Sequence, residues 1–249
     1  VLIISAPEDL PAYRRLLGDG SQWGMRFEYA EQSEPDGLAH AFLIGCDFIA
    51  GEPVCLILGD NLFYGTGLVQ QLESAAHLTE GALIFAQMVT DPRAYGVVEF
   101  DAAGRAVSLE EKPTQPRSRY AVPGLYFYDH QACELAAQLE PSARGELEIT
   151  DLNRLYLAKG QLQVRPFGRG TAWLDAGTFE SLVKAGAFVQ AIEERQGLMV
   201  CCPEEVAWNR GFIDLPQLRQ LGQAMGDNGY GRYLLDLADR AAAGAKATP

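Results

Sequence analysis

Val54-Cys55-Leu56-Ile57-Leu58-Gly59-Asp60-Asn61-Leu62-Phe63-Tyr64-Gly65 decides how the rest of the chain is read. Val54 to Leu58 is an unbroken apolar run, the pattern of a strand buried on both faces. The run stops at Gly59-Asp60-Asn61, where glycine relaxes the backbone and Asp-Asn supplies turn chemistry. In an open α/β sheet, ligands sit beyond the carboxyl ends of the strands. Asp60 therefore stands at the rim of a candidate site. Its hard oxygens suit Mg²⁺, which takes one or two carboxylates together with substrate phosphates. A plain Asp-Asn turn fits this motif equally well.

The surrounding composition belongs to a globular α/β protein. The chain has 249 residues, 48% hydrophobic and 21% charged, enough for one large domain or a domain with an appendage. A net charge of −13 argues against a nucleic-acid surface or an anionic-membrane binder, so positive charge for a phosphate must be local. Cys46, Cys55, Cys133, Cys201 and Cys202 show no metal-site or CxxC spacing and read as thiols of a reducing cytoplasm. No apolar run reaches transmembrane length and no signal-peptide pattern opens the chain. Val1-Leu2-Ile3-Ile4-Ser5 begins inside an apolar run without a methionine, so a preceding segment is expected to be missing.

Outward from the opening stretch, periodicity predicts strands at residues 1–5, 26–30, 54–58, 82–88, 120–128, 162–167 and 172–174. It predicts helices at 7–17, 37–49, 66–76, 129–139, 148–158 and from Thr178 to Arg195. Asp101-Ala102-Ala103-Gly104 between two strand-like runs is a hairpin signal. The expected fold is α/β: a mixed, mostly parallel open sheet with helices on both faces, an antiparallel insert and a C-terminal helical extension. Residues 1–197 read as the core. Residues 198–249 read as a helical extension whose Trp208, Phe212, Ile213, Tyr230 and Tyr233 suggest an oligomer interface.

Several runs carry candidate chemistry, each beside a plainer alternative. Trp173-Leu174-Asp175-Ala176-Gly177-Thr178 repeats the pattern of an apolar strand ending in Asp, and two such carboxylates could share one Mg²⁺. Alone, Asp175 would serve as well to begin a helix. Lys112, ahead of Pro113, is either a point charge for phosphate or a solvated edge residue. In Pro141–Asp151, Arg144 could bind phosphate and Glu146 a hydroxyl, or both could be surface charges. The Gln32 amide suits a pyrimidine edge, although a polar loop explains it too. His40, His77 and His130 form no cluster and read as structural or exposed.

Taken in order, GDGSQWG (18–24), QSEPDGLAHAF (32–42), LGDNLFYG (58–65), DPRAYGVVEF (91–100), SLEEKP (108–113), YAVPGLYFYD (120–129), PSARGELEITD (141–151), WLDAGT (173–178) and EERQGL (193–198) cover nearly the whole chain. These blocks resemble the sugar-nucleotide pyrophosphorylases, and EERQGL with CPEEVA (202–207) resembles their short bacterial glucose-1-phosphate thymidylyltransferases. The resemblance implies a Rossmann-like nucleotidyltransferase fold and a Mg²⁺-dependent reaction. In it, dTTP and α-D-glucose 1-phosphate give dTDP-glucose, a precursor of dTDP-rhamnose and other deoxysugars, and pyrophosphate. It implies Asp60 and Asp175 as Mg²⁺ ligands and Lys112 and Arg144 on the sugar phosphate. It places Gln32 and Gly37 at thymine, and Gly96, Glu111 and Val122 around the sugar, with Asn61 and Trp173 in the same substrate-binding set. It also implies a cytoplasmic homotetramer with a regulatory nucleotide site near subunit contacts.

The departures from the family pattern shape a further expectation. The family's G-G-x-G-T-R-L phosphate loop and following K-Q-L-L-P segment are not in this sequence. Pro123 and Ala176 stand where the family usually has Thr, and His40 replaces a common Gln. Residues 1–249 alone are therefore expected to be poorly soluble or partly unfolded and to make no dTDP-glucose, and the same chain with a family-type N-terminal segment restored to be soluble and active. The competing expectation is a non-catalytic sugar-nucleotide-binding or regulatory subunit.

Overall fold

The computed structural model describes residues 1–244. The chain opens with β1 (Leu2–Ser5), α1 (Leu10–Leu17), a 3-10 turn at Ser21–Trp23 and β2 (Glu28–Glu31). It continues through α2 (His40–Ile44), α3 (Cys46–Ile49), β3 (Val54–Ile57), β4 (Asn61–Tyr64), α4 (Leu68–Ala76) and β5 (Ala82–Met88). Then come β6 (Gly96–Phe100), β7 (Ala106–Glu111), β8 (Tyr120–Val122), β9 (Leu125–Tyr128), α5 (Ala132–Ala136) and α6 (Ile149–Ala158). β10 (Leu162–Pro166), β11 (Ala172–Asp175), α7 (Phe179–Gln196), α8 (Pro203–Asn209), α9 (Leu215–Ala224) and α10 (Gly229–Ala242) complete it. These elements form two compact units, one of Gln32–Ala185 and one of Val1–Glu31 with the described residues from Gly186 onward.

The Gln32–Ala185 unit is built on a seven-stranded sheet centred on β5. β9 pairs antiparallel with Ala82–Ile84 of β5 and β8 with Gln87–Met88, while β10 pairs parallel with Ala82–Ala86. β3 joins beyond β9, and β6 and β7 beyond β8, all antiparallel. The expectation of a mostly parallel sheet is thus corrected: β5–β10 is its one parallel pairing among the described residues. β9, from later in the chain, lies between β3 and β5, where a parallel crossover partner would otherwise sit. Apolar runs such as 54–58 report burial on both faces, which is indifferent to strand direction.

That burial is visible residue by residue. Ala82, Ile84 and Ala86 of β5 and Tyr126 and Tyr128 of β9 face one cluster with Phe42, Ile49, Ile149, Leu152 and Tyr156. Leu83, Phe85, Leu125 and Phe127 face the other, with Ala75 and Phe167 and with α4 packed against it. Helices therefore cover both sheet faces, and the period-2 alternation divides each strand between two cores. Phe85 and Phe167 stack at 4.6 Å.

Local chemistry explains where other elements depart from expectation. The helix over 37–49 breaks at Gly45 into α2 and α3. The strand over 120–128 breaks at Pro123-Gly124, where proline has no N–H for the ladder and Leu58 N–H donates to the Gly124 carbonyl at 2.9 Å. Residues 61–64, outside the predicted strands, form β4, which pairs antiparallel with β11, Leu62 opposite Leu174. The hairpin forms as expected, Asp101 accepting from the N–H groups of Ala103 and Arg105 at 2.9 Å each. Thr178 caps α7, its hydroxyl accepting from Ser181 N–H at 3.1 Å.

In the other unit, β1 and β2 pair in parallel as a separate two-stranded sheet. Its core gathers Cys202, Ala207, Ile213, Leu218, Leu234 and Leu237, with Trp23, Trp208 and Tyr230 packed against it. Of the aromatic and aliphatic side chains assigned to an interface, Ile213 and Tyr233 are buried in this core, and Phe212 is exposed. Glu204, 2% exposed, accepts from Trp23 Nε1 at 3.1 Å and Tyr230 Oη at 2.5 Å, tying the 3-10 turn to α8 and α10. Residues 245–249, the end of the predicted extension, lie outside the described residues.

Candidate active site

Asp60 is the third residue of the turn after β3. Asn61 N–H donates to Leu58 C=O at 3.1 Å, closing a β-turn over Leu58–Asn61. Asp175 is the last residue of β11 and lies opposite Asn61, the first residue of β4. An antiparallel ribbon sets the start of one strand beside the end of its partner, so Asp60 and Asp175 become neighbours. Ala176 N–H donates to the Asp60 carbonyl at 2.8 Å, fixing the two backbones. The convergence thus arises in a two-stranded ribbon, not at two strand ends of one parallel sheet.

Asp60 Oδ2 and Asp175 Oδ1 lie 2.8 and 3.1 Å from the point that a Cβ on Gly177 would occupy. The glycine leaves open the space that both carboxylates face. Among the described residues no group of three or more His, Cys, Asp or Glu side chains is arranged to hold a metal. Two converging carboxylates still fit Mg²⁺, which draws its remaining ligands from water and substrate oxygens.

Both aspartates line a cavity of about 170 Å³, whose walls include Asn61, Gly96, Glu111, Lys112, Val122 and Trp173. Gln32, Gly37 and Arg144, grouped with them in the sequence reading, are not wall residues. Gln32 Nε2 donates to the Gly37 carbonyl at 3.2 Å, so the amide braces its own loop. Gly37, at φ +98°, packs against the Leu147 backbone, where a Cβ would come within 2.4 Å of the carbonyl oxygen. The Arg144 guanidinium contacts Glu148 at 2.8 Å, Glu146 at 3.1 Å and Glu111 at 3.8 Å.

Glu111 projects from the end of β7. Burial raises its pKa, opposed by the Thr150 hydroxyl, which donates to Oε2, and by Lys112 and Arg144, while Glu148 pushes it up further. A Cβ at Gly96 would lie 3.0 Å from Thr150 Oγ1 and 3.5 Å from Glu111 Oε2, so the missing side chain keeps this floor open. Lys112 follows at φ +42°, in the left-handed region that a residue bearing a Cβ seldom adopts. Its N–H donates to the Tyr95 carbonyl at 3.0 Å and its Nζ lies 4.0 Å from Glu111 Oε1. Tyr95 meets Trp173 edge to face at 4.9 Å. Burial, then the Asp175 charge, raises the Tyr95 pKa.

Leu38, Leu58, Ala94, Tyr95, Gly124, Tyr126, Ile149 and Thr150 also line the cavity and were missed as site residues. Tyr95 and Thr150 adjoin quoted motifs, yet nothing in their spacing marks them. The walls carry three carboxylates, Asp60, Glu111 and Asp175, against one ammonium, Lys112. Such a cavity repels anions unless a cation accompanies them.

The sequence model of the nucleotidyl transferase family matches residues 1–192. A glucose-1-phosphate thymidylyltransferase of Mycolicibacterium smegmatis is 58% identical over 240 residues, covering 96% of this chain and 83% of its own length. One from Xanthomonas campestris pv. campestris is 54% identical, covering 97% of this chain and 82% of its own length. A Bacillus anthracis crystal structure, described as a glucose-1-phosphate thymidylyltransferase in complex with sucrose, superposes with TM-score 0.68 at 37% identity. It covers 75% of this chain and 74% of its own. A UDP-glucose pyrophosphorylase with UDP-glucose bound shares the fold at TM-score 0.64 and 23% identity, over 76% of this chain and 80% of its own. A family match across most of the chain, together with high identity to these relatives, shows that the chain belongs to the nucleotidyl transferase family, among the glucose-1-phosphate thymidylyltransferases.

Proposed function

We propose that the chain transfers a thymidylyl group from dTTP to α-D-glucose 1-phosphate. A phosphate oxygen of the sugar phosphate attacks the α-phosphorus in line. The bond to the β-phosphate oxygen breaks, and pyrophosphate leaves as dTDP-glucose forms. Such a transfer needs positioning and charge neutralisation more than covalent help from the protein. The observation that carries the reading is the convergence of Asp60 and Asp175 on one point in an acidic cavity.

In this proposal Asp60 and Asp175 hold Mg²⁺, which would neutralise charge on the phosphates when bound. Lys112 supplies the local positive charge for the sugar phosphate. Arg144 belongs to the same anion site, although Glu148 and Glu146 already engage its guanidinium. Glu111, oriented by Thr150, accepts from sugar hydroxyls above the open floor at Gly96. Val122 and Trp173 close the sugar pocket, and the Gln32–Gly37 loop faces thymine. The helices between residues 198 and 244 belong to the subunit contacts of a cytoplasmic homotetramer. No helix among the described residues is long and apolar enough to cross a membrane.

Pyrophosphate release by the chain carrying a family-type phosphate-loop segment tests the proposal, with dTTP or UTP as donor and Mg²⁺ present or chelated. Turnover with dTTP that stops on chelation supports it. Nucleotide-sugar binding without turnover supports the non-catalytic alternative.

A further inference from the structure

The Asn61 side chain makes three contacts with three different segments. Its Oδ1 accepts from Trp173 Nε1 on β11 at 2.6 Å and from the Gly124 N–H, between β8 and β9, at 2.9 Å. Its Nδ2 donates to Asp60 Oδ1 at 2.8 Å. The partners fix the orientation of the amide. An indole N–H and a backbone N–H only donate, and an ionised carboxylate only accepts. Oxygen must therefore face Trp173 and Gly124, and nitrogen must face Asp60. Both oxygen lone pairs are occupied, so Asn61 has no acceptor left for a ligand.

We propose that Asn61 is a positioning residue, holding the Asp60 carboxylate and the Trp173 indole in one fixed relation across the cavity. This rests on the thymidylyltransferase reading for its consequence in catalysis, but not for the contacts themselves. Asp60 is half of the converging carboxylate pair, and Trp173 is a wall residue that also meets Tyr95. One amide thus couples the cation-holding carboxylate to the sugar-side wall. The demand is specific to asparagine. Aspartate would keep an acceptor for the indole but turn an oxygen toward Asp60 Oδ1, and alanine would release all three partners. Outer groups that orient metal ligands typically change metal affinity or activity by about 10–100-fold when removed.

The test uses Asn61→Ala and Asn61→Asp in the full chain, with Mn²⁺ as the metal probe. Mn²⁺ affinity is read by calorimetry and the Trp173 environment by fluorescence, with Trp173→Phe as the reference that isolates its emission. Asn61→Ala is expected to weaken Mn²⁺ binding about tenfold and shift the Trp173 emission to the red. Asn61→Asp should keep the native Trp173 emission while kcat falls at least tenfold, and it carries the test if the alanine variant does not fold. Overturning results are Mn²⁺ affinity within twofold of wild type and unchanged Trp173 emission in Asn61→Ala, or native kcat in Asn61→Asp. If the wild type binds Mn²⁺, Asn61→Ala loses both signals and neither makes dTDP-glucose, the positioning role stands and the assigned reaction falls.

Discussion

Replacing Gly177 with alanine places a methyl carbon 2.8 Å from Asp60 Oδ2 and 3.1 Å from Asp175 Oδ1. Carbon–oxygen contacts settle at about 3.3 Å or more, so Asp60 must retreat by roughly half an ångström and Asp175 by about 0.2 Å. Metal-ligand distances tolerate only about 0.2 Å of error. Asp60 has little freedom to comply, because Asn61 Nδ2 holds its other oxygen at 2.8 Å. Gly177 is not in the left-handed region, so alanine meets no backbone penalty there. Alanine also lowers the entropy of the unfolded chain by an amount worth about 0.4–1 kcal/mol, which offsets the local crowding. The expected variant is therefore as stable as wild type but defective in cation binding, with Mn²⁺ affinity and kcat/KM down about 10–100-fold. Calorimetric Mn²⁺ titration, pyrophosphate release and a thermal melt measure the three quantities. A folded Gly177→Ala enzyme with wild-type turnover and unchanged Mn²⁺ affinity would refute the claim that the two aspartates share a cation.

Three further outcomes are expected. Burial raises the Glu111 pKa above the ordinary carboxylate value, so the native state holds this proton more readily than the unfolded chain. Stability from this group is then greatest at low pH and declines as pH rises through the window above 4.5. Binding of glucose 1-phosphate runs oppositely, weakening as pH falls through that window, and Glu111→Gln should abolish this acid limb in a pH profile of kcat/KM. Lys112→Ala should raise KM for glucose 1-phosphate about tenfold and KM for dTTP much less; equal effects on both would mean a structural role. Glu204→Ala removes the acceptor of the half-buried Trp23 and Tyr230 donors, of which Tyr230 keeps Cys202 Sγ at 3.2 Å, and should cost about 1–3 kcal/mol in urea denaturation, and a loss under 0.5 kcal/mol would contradict the network reading.

Much of the molecule was legible because its cues are local. Residues 82–88 form β5 as the apolar run predicted, Asp101–Gly104 turns the hairpin, and Thr178 caps α7. Each depends on neighbours within a few positions, where backbone sterics and short hydrogen bonds act. Asp60 and Asp175 stood out as candidates for the same reason, as carboxylates at or just past short apolar runs, and both line the cavity.

Direction and partnership were not legible. An apolar strand buried on both faces looks the same whether its neighbour runs with it or against it, and β9, lying between β3 and β5, reversed the expected sheet. Thr150 and Tyr95 carried no motif of their own. They became wall residues only when α6 and the loop before β6 met at the cavity. Sequence by itself therefore determined the family, most of the helices and strands, and the candidacy of two carboxylates. Tertiary structure alone decided that those carboxylates face one point and that Asn61 binds Trp173, 112 residues away. Contacts at that separation are set by which strands pair and in which register, and long-range packing settles both.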